Sequence, residues 1–508
     1  MGWLPSPLNP NSRARLTASA LTTLLGTSSF AVSEEAYIAR HQFIDFEGAG
    51  YTTWAKSIGT DENMDHLYVL HQPEDNVNSH NVEIWPRIKV LGVTGYSPDS
   101  DIGPLNCNFD NGTSIVGDVS VSPDGRWLAV SDQQGYAAFS PLYEPTWDGM
   151  TNQGYIIDLT APNRSCSPEK LYDLFAFHRA DAVFSADSQS LLFGIPYAGN
   201  PPTDSPEWGS TVGQIRRYSQ SDGNSWDFEG NIRLFTAEGL NQNAGVGKSV
   251  VTSRDGSVTA IYAESLRIKE SENGGTYVQT QFGYIPEQQS RTPSYPLIAI
   301  VSDGIYQFRP LDLDNEDEYL GNGSTKSNYT GQQLAITDDG DMVVTAYRDR
   351  TIDNNGPDSK IQTLTPDRNG AFGSSSQVVD LRKCIDPETD ELLQYRWADP
   401  YDLALSSDGE RLAVLVMTAF LLPSGVCLFS RDGDEWQPLI EASRALSAVA
   451  QSNGFNAVYT TAELIANKDL TRLLIHHGNT ATQADIEWSS GTYGLPIWLL
   501  YEASRAGD

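Results

Sequence analysis

Cysteine, histidine and basic residues are all scarce in this chain. Its 508 residues include four cysteines, and with no Cys-x-x-Cys among them a zinc ribbon or a dithiol redox pair is excluded. Lys and Arg number 33 against 66 Asp and Glu, a formal charge of −33. Such a field repels phosphate backbones and anionic lipid, which argues against nucleic acid and acidic membrane surfaces as partners. No apolar run reaches the roughly 18 residues that a membrane-spanning helix needs. Also missing are Gly-x-Ser-x-Gly, His-Glu-x-x-His, a Walker phosphate loop and a Gly-x-Gly-x-x-Gly opening a helix. Their absence removes the best-defined hydrolase, zincin and nucleotide-binding signatures.

What the chain does contain is a repeated phrase: an apolar-alternating run, a tight turn, and a second apolar run. It reads Asp118-Val-Ser-Val-Ser-Pro-Asp-Gly125 before Trp127-Leu-Ala-Val130, and Asp181-Ala-Val-Phe-Ser-Ala-Asp-Ser188 before Leu191-Leu-Phe193. It returns at Ser249 to Gly256, Gln333 to Gly340 and Asp402 to Gly409, with a weaker copy at Ala462 to Asp469 and a glycine-less one at Ser57 to Asp61. Asp-Gly supplies the positive φ of a tight hairpin, and the Ser or Thr two residues before that Asp can hydrogen-bond into the turn. The turns lie about 60 to 85 residues apart, too far for one hairpin and suited to a four-stranded blade with long loops. The spacing predicts an all-β, seven-bladed β-propeller. Its closing strand is expected from Tyr37 to Phe46, completing the last blade, to which the run Leu495 to Tyr501 is assigned.

The Ser-x-Asp-Gly phrase at Ser122, Ser253 and Ser406 resembles that of WD40-like, TolB-like and lactonase-like propellers. The resemblance covers most of the chain after residue 50 and implies the fold alone; no active site or partner carries over with it.

Residues 1–33 hold no acidic residue, carry Arg13 and Arg15, and then run through Leu21, Leu24, Leu25 and Phe30 toward small residues. They read as a signal peptide or a disordered targeting segment, ahead of a single propeller domain at 34–508. A secreted or periplasmic location follows, and the chain is expected to end with its last blade, without an appended catalytic domain. The cysteines suit disulfides Cys107 to Cys166 and Cys384 to Cys427 in an oxidising compartment, with free thiols as the alternative.

Residues four before the turn hydroxyl begin the innermost strand of each blade. Aligned so, Ser57, Asp118, Asp181, Ser249, Gln333, Asp402 and Ala462 would ring one mouth of the central channel. Asp118, Asp181, Gln333 and Asp402, with His178, form the candidate ligand site, and the three aspartates a candidate site for a divalent cation such as calcium. The alternative is that each Asp caps its strand or bonds a neighbouring blade's backbone. A looser group, His66, His71 and His80 with Asp65 and Asp75, matches no defined metal-ligand spacing. The long second-to-third-strand connections near 132–153, 196–213 and 264–296 carry aromatics, among them Tyr143, Trp147, Tyr197 and Trp208. They are expected on the same face, as a surface recognising a polypeptide or a glycan. The competing expectation is a metal-assisted lyase or lactone hydrolase at the channel mouth.

Overall fold

The computed structural model describes residues 35–45, 55–71, 80–90, 93–96, 105–107, 114–134, 151–160, 165–166, 168–175, 180–196, 213–221, 225–232, 245–267, 278–279, 294–312, 329–330, 333–349, 359–385, 398–418, 424–452, 462–477 and 480–489. All fall in one compact unit, Ser33–Asp508. The architecture is all-β and propeller-like.

Among the described residues the strands form seven sheets, antiparallel except where Ser165–Cys166 runs parallel to Leu105–Cys107. Numbered along the chain, their first strands are Ala55–Thr60, Ser114–Val121, Asp181–Phe184, Val250–Thr252, Leu334–Ile336 (preceded in its sheet by the two-residue strand Tyr329–Thr330), Ala398–Leu405 and Ala462–Ala466. Sheets 2, 3 and 6 are plain four-stranded meanders. Sheet 7 differs in origin, because its fourth strand, Glu35–Asp45, comes from the N-terminal end and pairs antiparallel with Thr480–Ser489. The N-terminal run thus joins the sheet of the last repeat as expected. Its partner is Thr480–Ser489, and Leu495 to Tyr501 lies outside the described residues.

The repeated turn works as its chemistry requires. Ser122 Oγ donates to Asp124 Oδ1 (2.5 Å) and accepts from Trp127 N–H (2.8 Å). The same pair of bonds recurs at Ser185, Ser253, Thr337 and Ser406. Three residues after each turn acceptor the backbone is left-handed, at Met64, Gly125, Ser188, Gly256, Gly340, Gly409 and Leu470. At sheet 1 Asp61 takes the place of the hydroxyl, accepting from Asp65 N–H (2.6 Å). At sheet 7 Asn467 does so, accepting from Arg472 N–H (2.8 Å). Met64 and Leu470 hold φ of 54° and 52° without being glycine. Both side chains are fully buried, and that burial offsets the roughly 1–2 kcal/mol of left-handed strain.

Each turn is hydrogen-bonded to the next. Glu62 N–H donates to Pro123 O, Asp124 N–H to Ser188 Oγ, Asp187 N–H to Arg254 O, Arg254 N–H to Asp338 O, Asp338 N–H to Ser407 O, and Ser407 N–H to Lys468 O. Pro123 has no N–H, so Asp124 donates in its stead. The series returns to its origin when Arg472 of sheet 7 donates to Asn63 O (2.6 Å) and pairs with Asp65 (3.1 Å) in sheet 1. The turns also pack: a Cβ at Gly340 would stand 2.8 Å from Val258 Cγ2 of the preceding sheet. Gly340→Ala is therefore expected to cost about 1–3 kcal/mol from left-handed strain plus the clash, read as a lowered melting temperature.

Besides short extra strands in sheets 1, 4 and 5, an α-helix, Ile440–Ser452, is inserted between sheets 6 and 7. Ala442, Leu446 and Ala450, at helical spacing, are buried against the cores of both sheets. The short outer strand Glu435–Pro438 pairs only with Phe429–Asp432, and the helix serves the rest of that edge. Ser443 Oγ accepts Leu428 N–H (2.9 Å) and Ser447 Oγ accepts Val426 N–H (3.0 Å). Beside it, the buried disulfide Cys384–Cys427 ties a 3₁₀ turn, Leu381–Cys384, to the strand Gly425–Asp432. The backbone sets Cys166 opposite Cys107, whose side chains lie outside the described residues.

Candidate functional site

The first strands of consecutive sheets pack side by side at a hub, and the residue four before each turn acceptor lies in or just ahead of that strand, opening Asp181–Phe184 but standing fifth in Ser114–Val121 and Ala398–Leu405. With Asn467 as the seventh acceptor, that residue in sheet 7 is Glu463, a correction by one position to the aligned Ala462. Four of the seven positions are thus carboxylates: Asp118, Asp181, Asp402 and Glu463.

These groups reach the next sheet's backbone. Asp181 Oδ2 accepts Val250 N–H of sheet 4 (2.8 Å), and Ser249 Oγ accepts Leu334 N–H of sheet 5 (3.2 Å). Asp402 Oδ2 accepts Leu464 N–H of sheet 7 (2.8 Å), while its Oδ1 accepts Leu403 N–H (2.8 Å). In each inter-sheet bond the donor is the residue just after the equivalent position one sheet on. The alternative set beside the cation site, that each Asp bonds a neighbouring backbone, therefore describes Asp181 and Asp402. Gln333 accepts Thr345 Oγ1–H through its own carbonyl (2.9 Å). The side chains of Ser57 and Asp118 lie outside the described residues, as do His178, Tyr143, Trp147, Tyr197 and Trp208. The long connections do fall between the second and third strands of sheets 2, 3 and 4, as read from the sequence.

A cavity of about 220 Å³ lies between the first strands of sheets 1, 2, 6 and 7. Asp402 and Glu463 supply carboxylates to its wall, and Thr60 and Ser120 hydroxyls. Burial, opposed by the two amide bonds and reinforced by the charges of Glu463 and Asp181, pushes the Asp402 carboxyl up to about 7. Glu463 in turn meets the fully buried His476, with 3.4 Å between Oε2 and Nδ1. Among the described residues no three His, Cys, Asp or Glu side chains are grouped to hold a metal ion. Of the histidine group, His66 bonds Asp61 instead (2.7 Å), and that hydrogen bond raises its pKa. Glu463 and His476 were missed by sequence reasoning; the signal that could have found Glu463 is Asn467, an amide standing where the other repeats place a hydroxyl.

No established protein family and no curated protein sequence matches the chain. Solved structures do match, and they are WD40-like and lactonase-like propeller proteins. The periplasmic gluconolactonase PpgL of Pseudomonas aeruginosa is 13% identical over 81% of this chain and 95% of its own, with a TM-score of 0.38. A Bacteroides uniformis protein described as a putative 6-phosphogluconolactonase is 9% identical over 76% and 83%, TM-score 0.39. Chaetomium thermophilum Sqt1, bound to the N-terminus of a ribosomal protein, is 10% identical over 87% and 98%, TM-score 0.41.

Proposed function

We propose that the seven sheets are the blades of a closed seven-bladed propeller, the last completed by Glu35–Asp45, and that the protein is a secreted or periplasmic, non-catalytic binding module. Its ligand is a polypeptide or a glycan, recognised by the connections between the second and third strands. The observation that carries this reading is the use of Asp181 and Asp402 as ties between blades. A carboxylate whose oxygens hold backbone amides stiffens the ring and is withdrawn from the ligand set that the metal-assisted lyase or lactone hydrolase requires. A rigid ring bearing long aromatic connections suits recognition, since binding commonly sits on loops held by a firm scaffold. The turn-to-turn bonds that return from Arg472 to Asn63 support closure. A fully buried Cys384–Cys427 bridge suits an oxidising compartment.

Two measurements on the purified protein test the reading together. Glycan and peptide arrays are expected to give a ligand whose binding falls at least tenfold in Trp147→Ala or Trp208→Ala with the melting temperature unchanged. Metal analysis is expected to find no stoichiometric divalent ion. A bound ion that is lost in Asp181→Asn or Asp402→Asn, together with turnover of a lactone, would overturn the proposal in favour of the enzyme.

A further inference from the structure

The residue directly after each turn acceptor occupies an equivalent place in all seven repeats, on the rim of the hub opposite the strand starts. Four of these carry charge, Glu62, Arg254, Asp338 and Lys468; the other three, Pro123, Ala186 and Ser407, carry none. The rim backbone is fixed by the turn-to-turn bonds, so the side chains are held at known places around the ring.

The charges do not simply pair with sequence neighbours. Arg254, in the turn of sheet 4, places one guanidinium nitrogen 2.9 Å from Glu62 Oε1 in the turn of sheet 1. It also reaches Asp338 of sheet 5 at 2.9 Å. The same Glu62 oxygen lies 3.6 Å from Lys468 Nζ of sheet 7. In a ring of seven, sheets 1 and 4 are as far apart as two members can be, so the Glu62–Arg254 pair has to run across the opening. Two positive and two negative charges balance at this rim within a chain carrying twice as many acids as bases. A rim decorated by solvated surface charge would follow the acidic excess of the whole protein.

We infer that Glu62, Arg254 and Lys468 form a latch across the channel that seals the hub on the turn face. The hub cavity is then blind, reached only from the face where the first strands start and the long connections lie. This rests on the closed-ring reading, and it deepens that reading by assigning the face from which a hub ligand enters. Single exposed ion pairs are weak, with a median near 0–1 kcal/mol, and salt screens them. The latch side chains are only partly covered, so the seal should loosen as ionic strength rises.

Accessibility of the cavity wall tests the inference. Thr60 lines the cavity just inside the latch, and Thr60→Cys puts a thiol there. N-ethylmaleimide is expected to modify this thiol at least about fivefold faster when Glu62→Ala is added. Raising NaCl from 0.05 to 1 M should accelerate the reaction with Glu62 present and leave it unchanged in Glu62→Ala. A separate variant, Glu62→Cys with Arg254→Cys, is expected to be bridged by a short bis-maleimide within one chain. Equal Thr60→Cys rates with the bridge still forming would overturn the latch and leave the ring standing. Equal rates with no bridge would overturn both.

Discussion

A chain beginning at residue 46 is expected to melt at least about 5 °C below one beginning at residue 34, and to aggregate on heating. Glu35–Asp45 is the outer strand of sheet 7, paired with Thr480–Ser489 from end to end with one register shift between Ile38 and Arg40. Its Ala36 is buried, and Ile38 packs against the same cluster as Ile486 and the helix residue Leu446. Removing it exposes the backbone edge of Thr480–Ser489 to other chains. It also strips apolar cover from the junction of sheets 6 and 7. The combined loss lies at or beyond the roughly 4–5 kcal/mol at which single changes become exceptional. For a folded unit of this size, 1 kcal/mol corresponds to about 1 °C in melting temperature. A chain beginning at residue 34 keeps the strand whole and should melt like the full-length protein. Differential scanning calorimetry of the two truncations decides the matter, and equal melting temperatures would show that the N-terminal strand is dispensable.

The legible part of the fold was the part written in local chemistry. A Ser or Thr, an Asp two residues later and a Gly after it favour a hairpin, because all the bonds close within six residues of chain. Four turns, at Ser122, Ser253, Thr337 and Ser406, carry the full phrase, and their near-regular spacing made the three substituted copies readable between and beside them. Where the residues were substituted, the alignment slipped by one position: Asn467 supplies an amide oxygen where the other turns use a hydroxyl, so Glu463 was passed over for Ala462. The helix Ile440–Ser452 lay outside any repeat pattern. Its apolar spacing is carried by alanines, and the role of Ser443 and Ser447 in covering a strand edge depends on where Gly425–Asp432 runs in space. At two of the aligned aspartates, Asp181 and Asp402, the carboxylate accepts a backbone N–H of the next sheet. The charge of Asp181 adds, behind burial and the charge of Glu463, to the upward push on the Asp402 carboxyl. Which backbone amide each carboxylate faces is set by the neighbouring sheet, some 60 to 70 residues away in the chain.

That same placement makes Asp402 a determinant of how stability depends on pH. Its carboxyl is enclosed between sheets 6 and 7, with Glu463 and Asp181 as its charged neighbours, and its folded pKa of about 7 stands above the ordinary aspartate value of 3.8. The fold therefore holds this proton more tightly than the unfolded chain does. Below pH 3.8 both states are protonated and Asp402 exacts no penalty. As pH rises from there toward 7 the unfolded chain gives up the proton first and stability declines; above 7 the loss is complete. Each tenfold difference in proton affinity between the two states is worth about 1.4 kcal/mol, but Asp402 borders a cavity large enough for water, so a loss of about 2–4 kcal/mol is the reasonable scale. Asp402→Asn removes the titration while keeping one oxygen to accept an amide. Near pH 3, where folded and unfolded Asp402 both hold the proton, the variant should be less stable than the wild type by about 1 kcal/mol, for the amide bond it cannot make. At pH 8.5 it should match or exceed the wild type, because no charge is then confined beside Glu463 and Asp181. The difference in melting temperature between the two proteins, followed from pH 3 to 9, is thus expected to change sign between about pH 4 and 7, where the unfolded chain has released the proton that the fold keeps. A difference that stays constant across that range would mean that Asp402 keeps an ordinary pKa and that its amide bonds hold the anion without strain.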